Sequence, residues 1–424
     1  MTKNLEPSSQ SAPASALSIT GNRPWAEFPK EEFDARFARL QIEMYRNDLV
    51  ALIATTEANC RYLTGARNQR WPNTLRPHCV ILPVTGAPVV IQGASDNFGL
   101  KDVTWIEDLR GFGGKRRKDG YGAHMNDLIV DVLAEKGIRQ GRIGVERDWQ
   151  MHAGFSINDF LALEKRLAPL ELVDAASLWW EVRMIKSPLE IDCMRRSAQI
   201  TSAAYRDLGA EIRIGMTESE IERRMCILML KHGAERPTYV PVNCHAGRWP
   251  SKDHLVFGLS TERRLENNSL VDMDGGCTFK GYWSDFSRTY AVGKPPAKAL
   301  VAYRIAQDAI LAGKEAIRPG RPITDVYRAM ARCFNQANKL HGLSESGMSE
   351  SGINGHGTGL SATERPYINL EDTTIMTPGL CTTIEPIFSV DGYGMMLGED
   401  MFVVTESGYE QLSESAPPEM PIVG

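Results

Sequence analysis

The 424-residue chain lacks any C-x-x-C pair: Cys60, Cys79, Cys193, Cys226, Cys244, Cys277, Cys333 and Cys381 are scattered along it. That scatter suits free thiols in a reducing compartment and argues against a disulfide framework. No apolar run approaches transmembrane length. The first 18 residues, rich in Ser, Ala and Pro, have neither the basic nor the apolar region of a signal peptide. Residues 1–28 read as a disordered leader. Basic excess is also missing: the net charge of −5 gives no footprint for nucleic acid and none for a membrane surface. A cytoplasmic protein is expected.

At this length one ordinary core does not suffice, and two domains are expected. Residues 29–175 alternate helix and strand: an apolar-periodic helix over 31–45, a strand over 49–54, a hairpin over 80–91, a helix over 125–136 and a strand at 143–145. This is an α/β domain. Residues 176–186 read as a linker. Beyond it, Ser187, Pro188 and Glu190 form a capping box with proline at the first helical position. Helices are expected over 190–208, 217–232, 299–317 and 323–339, backing an α+β catalytic domain over 187–424.

The chemistry gathers around Leu270-Val271-Asp272-Met273-Asp274-Gly275-Gly276 and Gly281-Tyr282-Trp283-Ser284-Asp285-Phe286-Ser287-Arg288-Thr289. Apolar and acidic residues alternate, so Asp272 and Asp274 share one strand face. Carboxylates cannot be buried there uncompensated. Asp285 lies eleven residues beyond Asp274, a length that fits a hairpin returning one beside the other. Carboxylates clustered on strands hold hard divalent cations. Near the C-terminus follow Asn354-Gly355-His356-Gly357-Thr358-Gly359, Thr383-Ile384-Glu385-Pro386 and Leu397-Gly398-Glu399-Asp400. Two Asp, one His and two Glu make a set able to hold two metals.

With these motifs in this order, the chain resembles the pita-bread metallopeptidases: methionine aminopeptidase, aminopeptidase P, prolidase and creatinase. Residues from roughly 185 to 412 carry the likeness. It implies an α/β amino-terminal creatinase-like domain followed by an α+β pita-bread catalytic domain. It also implies Asp274, Asp285, His356, Glu385 and Glu399 as ligands of two divalent metals. Four carboxylates and one imidazole favour Mn²⁺, Co²⁺ or Fe²⁺, with Zn²⁺ also admitted, over a thiolate-type structural zinc site. Two such ions lower the pKa of a shared water, so that hydroxide can attack an amide carbonyl. Glu385 would move the proton.

Further residues take expected roles from the same resemblance. A histidine before the first aspartate strand contacts the reacting group; His254 fits that place best, with His245 the rival. Arg288 pairs with a carboxylate near the site. Asp272 is either an extra ligand or a group behind the ligands. Trp71, with Arg76 and His78, lies in a loop of the first domain that could touch substrate. The family's pattern continues G-H-G-x-G-x-x-x-H-E-x-P, whereas here Thr363 stands at the second histidine, with Glu364 and Pro366 kept. Threonine donates one hydrogen bond but is no acid near neutral pH.

The resemblance therefore implies a prolidase-like Xaa-Pro peptidase acting on a dipeptide. The alternative is a small non-peptide substrate, cleaved as by creatinase, ectoine hydrolase or the dimethylsulfoniopropionate lyase. A homodimer is implied as well. A non-catalytic binding module of this fold would have lost ligands that are all present here.

Overall fold

The computed structural model describes residues 23–72, 76–113, 120–148, 150–245, 259–343, 348, 350, 352–390, 394–396 and 398–424. The chain divides into two compact units, Met1–Ala175 and Ala176–Gly424. Most of the expected leader, residues 1–22, lies outside the described residues. The rest of it is not a free tail: Ala26 and Phe28 are buried, and Phe28 packs on Phe33.

The first unit is built on a six-stranded sheet. Its order is Asp108–Phe112, Val89–Gly93, Cys79–Pro83, Leu49–Ala54, Gly141–Val145 and Leu170–Asp174. The two outer pairs run parallel to their neighbours, and the Cys79–Pro83 strand is antiparallel to both of its own. Leu49–Ala54 is almost wholly buried, as a near-continuous apolar strand should be at the centre of a covered sheet. Helix Lys30–Arg46 turns Phe33, Leu40 and Met44 inward. Helix Gly120–Glu135 starts five residues before the sequence expectation, because Met125 is only its first buried apolar residue. Among the described residues, none of the acidic or histidine groups able to hold a metal lies in this unit.

The second unit opens with helix Ala176–Met184, so the expected linker is helical, and Trp179 and Trp180 are buried in it. The reason is composition: Ala176, Leu178, Trp179, Trp180 and Val182 carry too much apolar surface for an exposed joint. Ser187 and Glu190 then close their capping box at 3.2 and 2.9 Å, and helix Pro188–Gly209 begins. Helix Glu218–Lys231 repeats the device with Thr217 and Glu220.

These two helices accompany a four-stranded sheet ordered Ile422–Val423, Arg288–Val292, Leu270–Met273, Val242–His245. A second half pairs helices Ala297–Glu315 and Thr324–His341 with a five-stranded sheet. That sheet is ordered Glu364–Tyr367, His356–Gly357, Cys381–Ile384, Asp400–Val404, Tyr409–Gln411. Ala306, Ile310, Met330 and Phe334 of the helices share one core with Ile384 and Phe402 of the sheet.

The aspartate segment is a hairpin within a hairpin. Leu270–Met273 pairs antiparallel with Arg288–Val292, and between them Cys277–Phe279 pairs with Tyr282–Trp283. Asp274 and Asp285 thus sit just beyond strand ends, where the chain leaves one ladder for the other. All eight cysteines are free thiols. No described helix is long and apolar enough to cross a membrane.

Candidate metal centre

Each acidic residue of the centre is aimed by its backbone. Asp274 precedes Gly275, whose φ of +119° and whose approach to the Tyr239 carbonyl leave no room for a side chain: a Cβ there would lie 1.6 Å from that oxygen. The Tyr205 phenol sits 3.3 Å from the Met273 carbonyl and 3.0 Å from that of Phe286. It thereby ties together the residues flanking Asp274 and Asp285. His356 follows Gly355 (φ +133°), where a Cβ would meet the Thr383 carbonyl at 2.4 Å. Glu385 is fixed through its N–H to Asn354 O at 3.0 Å. The Glu399 carbonyl accepts from Arg288 Nη1 at 2.8 Å.

The five side chains converge. Ligand atoms of Asp274, Asp285 and Glu399 lie within 4.8 Å of one another, and so do those of His356, Glu385 and Glu399. Glu399 belongs to both triads, the arrangement expected of a carboxylate bridging two cations. All five are buried. His356 Nδ1 lies 2.9 Å from the Gly357 carbonyl, which can only accept. Nδ1 therefore carries the proton and Nε2 keeps its lone pair, 3.8 Å from Asp285 Oδ2.

Burial lowers the His356 pKa, so the ring is neutral and able to coordinate. The acids move the other way. Burial first, and then the Asp285 charge, push Asp274 up. Burial raises Asp285. Burial followed by neighbouring carboxylates lifts Glu385 and Glu399 well above the usual range. Asp274 Oδ1 and Glu399 Oε1 are buried with no hydrogen-bond partner. Four crowded buried carboxylates with orphaned oxygens call for positive charge, and the donor set fits two hard divalent cations.

The other expected site residues fall into three groups. Asp272 is buried but stands outside both triads, and its Oδ1 accepts from Thr289 Oγ1. Arg288 pairs with Asp400 at 2.9 Å and reaches the Glu414 carbonyl, so it braces the start of the strand that follows Glu399. Thr363 is exposed, beside a buried Glu364 that is held by Arg183 and by Lys186 at 3.0 Å. Trp71 lies in the first unit, buried and stacked on His78 at 5.2 Å, lining a cavity of ≈ 200 Å³ with Arg76 and Tyr121. His254 and the side chain of His245 lie outside the described residues.

Sequence reasoning missed three hydroxyl groups. The Tyr239 ring lies against Gly275, next to Asp274, and burial and then the charges of Asp274, Asp285, Glu385 and Glu399 hold its phenol above its ordinary pKa. Tyr205 and Thr383 support the ligands from behind. Only the Thr383-Ile384-Glu385-Pro386 motif could have drawn attention to one of them.

The sequence signature of metallopeptidase family M24 matches residues 192–406, half of the chain. The chain belongs to that family. The family's companion, the creatinase/prolidase N-terminal domain, matches residues 36–185. A Xaa-Pro dipeptidase of Pyrococcus horikoshii is 28% identical over 379 residues, covering 88% of this chain and 95% of that protein. An ectoine hydrolase of Halomonas elongata is 25% identical over 403 residues, 91% of this chain and 96% of its own. Among solved structures, the Xaa-Pro dipeptidase from Bacillus anthracis superposes with a TM-score of 0.77 at 22% identity, over 92% of this chain and all of that one. The family fold is thus an amino-terminal creatinase-type domain followed by a pita-bread domain, and the family is one of hydrolases.

Proposed function

We propose that this member of the family is a dinuclear-metal hydrolase of Xaa-Pro dipeptidase type. The observation that carries the reading is the pair of buried triads sharing Glu399. Asp274, Asp285 and Glu399 would hold one ion, and His356, Glu385 and Glu399 the other. Bound there, two divalent cations supply an activated water near neutral pH and polarise an amide carbonyl.

The chain's own groups do the rest. His356 presents a bare Nε2 because its one N–H, on Nδ1, donates to the Gly357 carbonyl. Glu385, held in the buried centre beside His356 and Glu399, would take a proton from the activated water at its carboxylate oxygen and pass it to a leaving amine. Manganese is the ion to load first, on the strength of the oxygen-rich donor set. The working unit is proposed as a cytoplasmic homodimer taking a dipeptide or other small molecule. Light scattering of the purified chain checks the dimer.

A second reading keeps the fold and ions but changes the substrate to a small non-peptide. It would be cleaved as by creatinase or ectoine hydrolase, or eliminated as by a dimethylsulfoniopropionate lyase. Thr363 favours it, since threonine offers no acid where the resemblance sets a histidine, and so does the ectoine hydrolase aligned over nearly the whole chain. The test is turnover of a Xaa-Pro dipeptide panel by Mn²⁺-loaded protein, with Asp285→Asn as control. Proline release lost in the variant supports the dipeptidase. No release from a protein that binds two Mn²⁺ sinks it, and creatine, ectoine and dimethylsulfoniopropionate are then assayed.

A further inference from the structure

One buried hydroxyl links the two triads from behind. Thr383 lies on strand Cys381–Ile384, two residues before Glu385, and is fully buried. Its Oγ1 accepts from the His356 backbone N–H at 3.2 Å. The same hydroxyl is one of the groups that pull the Glu399 carboxyl down against the rise from burial. The geometry is in the strand register: Thr383 stands opposite Met401, so Thr383 and Glu399, two residues before Met401, fall on one face of the sheet. On the other flank, only a glycine at 355 lets the His356 segment come so close to Thr383.

A threonine hydroxyl has one proton to give and two lone pairs. With a backbone N–H as donor on one side, its proton is committed to the carboxylate on the other. Glu399 Oε1 has no hydrogen-bond partner, so that bond steadies one carboxylate oxygen and leaves the other for a cation. We propose that Thr383 is a positioning residue: through one hydroxyl it sets the orientation of the bridging Glu399 carboxylate relative to the His356 backbone, and so the spacing of the two ions. This rests on the dinuclear reading above. A group behind a ligand that orients it typically changes metal affinity about 10–100-fold. Valine matches threonine in shape but cannot make either bond.

The experiment is calorimetric titration of the apo full-length chain with Mn²⁺, for wild type, Thr383→Val and Thr383→Ser. It is paired with electron paramagnetic resonance of the loaded forms and circular dichroism to confirm folding. Expected is two-site binding by wild type with the signal of a coupled Mn²⁺ pair. Thr383→Val should fold yet bind at least one ion about 10–100-fold more weakly, with the pair signal weakened or lost. Thr383→Ser should restore both. If Thr383→Val does not fold, Thr383→Ala carries the same expectation. Wild-type affinity at both sites in a variant lacking the hydroxyl overturns the proposal, as does a serine variant as impaired as valine. A wild-type chain that binds no Mn²⁺ overturns the metal reading and this proposal together, and that failure is recognised from the wild-type titration alone.

Discussion

Lys186 Nζ lies 3.0 Å from Glu364 Oε2, with neither side chain more than 2% exposed. Arg183 meets the other oxygen of the same carboxylate, and Ser361 N donates to it at 3.1 Å. Burial alone would raise the Glu364 pKa, but the two cations and these hydrogen bonds outweigh it and hold the carboxyl below its usual range. The triad fastens the segment after His356 to the entry of helix Pro188–Gly209.

Glu364→Gln removes the only negative member and leaves two buried cations uncompensated. It should destabilise the second unit by about 3–5 kcal/mol, the cost of breaking a buried pair from one side. Lys186→Met, which leaves the Arg183–Glu364 pair intact, should cost clearly less. Urea unfolding of the three chains measures both. Equal midpoints for Glu364→Gln and wild type would show that the triad contributes nothing.

The order of the five donors was legible in the sequence because each sits in a short local motif, and the capping box at Ser187 was legible for the same reason. The supports were not. Tyr205 touches residues 68 and 81 positions away, and Lys186 a residue 178 away. A lone hydroxyl inside a helix, or a lone cation between two helices, carries no pattern that announces such a partner. The nested hairpin was half visible: its length was right, but Cys277–Phe279 pairing with Tyr282–Trp283 depends on tertiary ladders that alternation alone does not specify. The stretch expected to join the domains folds over Ala176–Met184 as a helix that buries Trp179 and Trp180.

Removing metal should be visible as stability. If two ions bind the native centre and not the unfolded chain, ligand at about 100 times its Kd contributes about 2.7 kcal/mol per site. Loading with Mn²⁺ should therefore raise the thermal midpoint, and a chelator should lower it again. Asp285→Asn should shrink the gap between loaded and stripped protein. Identical melting with Mn²⁺ and with chelator would count against a metal in this centre.

Gly275→Ala and Gly86→Ala separate close approach from backbone strain. Both glycines have positive φ, +119° and +96°, but a Cβ at Gly86 meets nothing within 4 Å, whereas at Gly275 it strikes the Tyr239 carbonyl. Gly86→Ala should cost about 1–2 kcal/mol, the price of left-handed backbone for an L-residue. Gly275→Ala should cost more and displace Asp274, so Mn²⁺ binding weakens as well. Denaturant midpoints and Mn²⁺ titration of the two variants decide it. Equal costs and intact binding would mean that the Tyr239 approach relaxes freely.

His78 should make the first unit sensitive to acid. Burial pulls its pKa from the ordinary 6.5 down to about 4, against a smaller upward pull from its bond to the Arg76 carbonyl. Between those values the unfolded chain binds a proton that the native one refuses, so stability rises with pH across this window. The contribution is complete above about pH 6.5 and lost progressively toward about pH 4; a shift of this size corresponds to about 3 kcal/mol. His78→Asn, whose amide nitrogen can replace Nδ1 toward the Arg76 carbonyl but does not titrate, should lose that part of the slope. Urea midpoints of both chains across the window, compared by difference so that acidic residues common to both cancel, give the measurement. Parallel profiles would show that the buried imidazole charges without penalty.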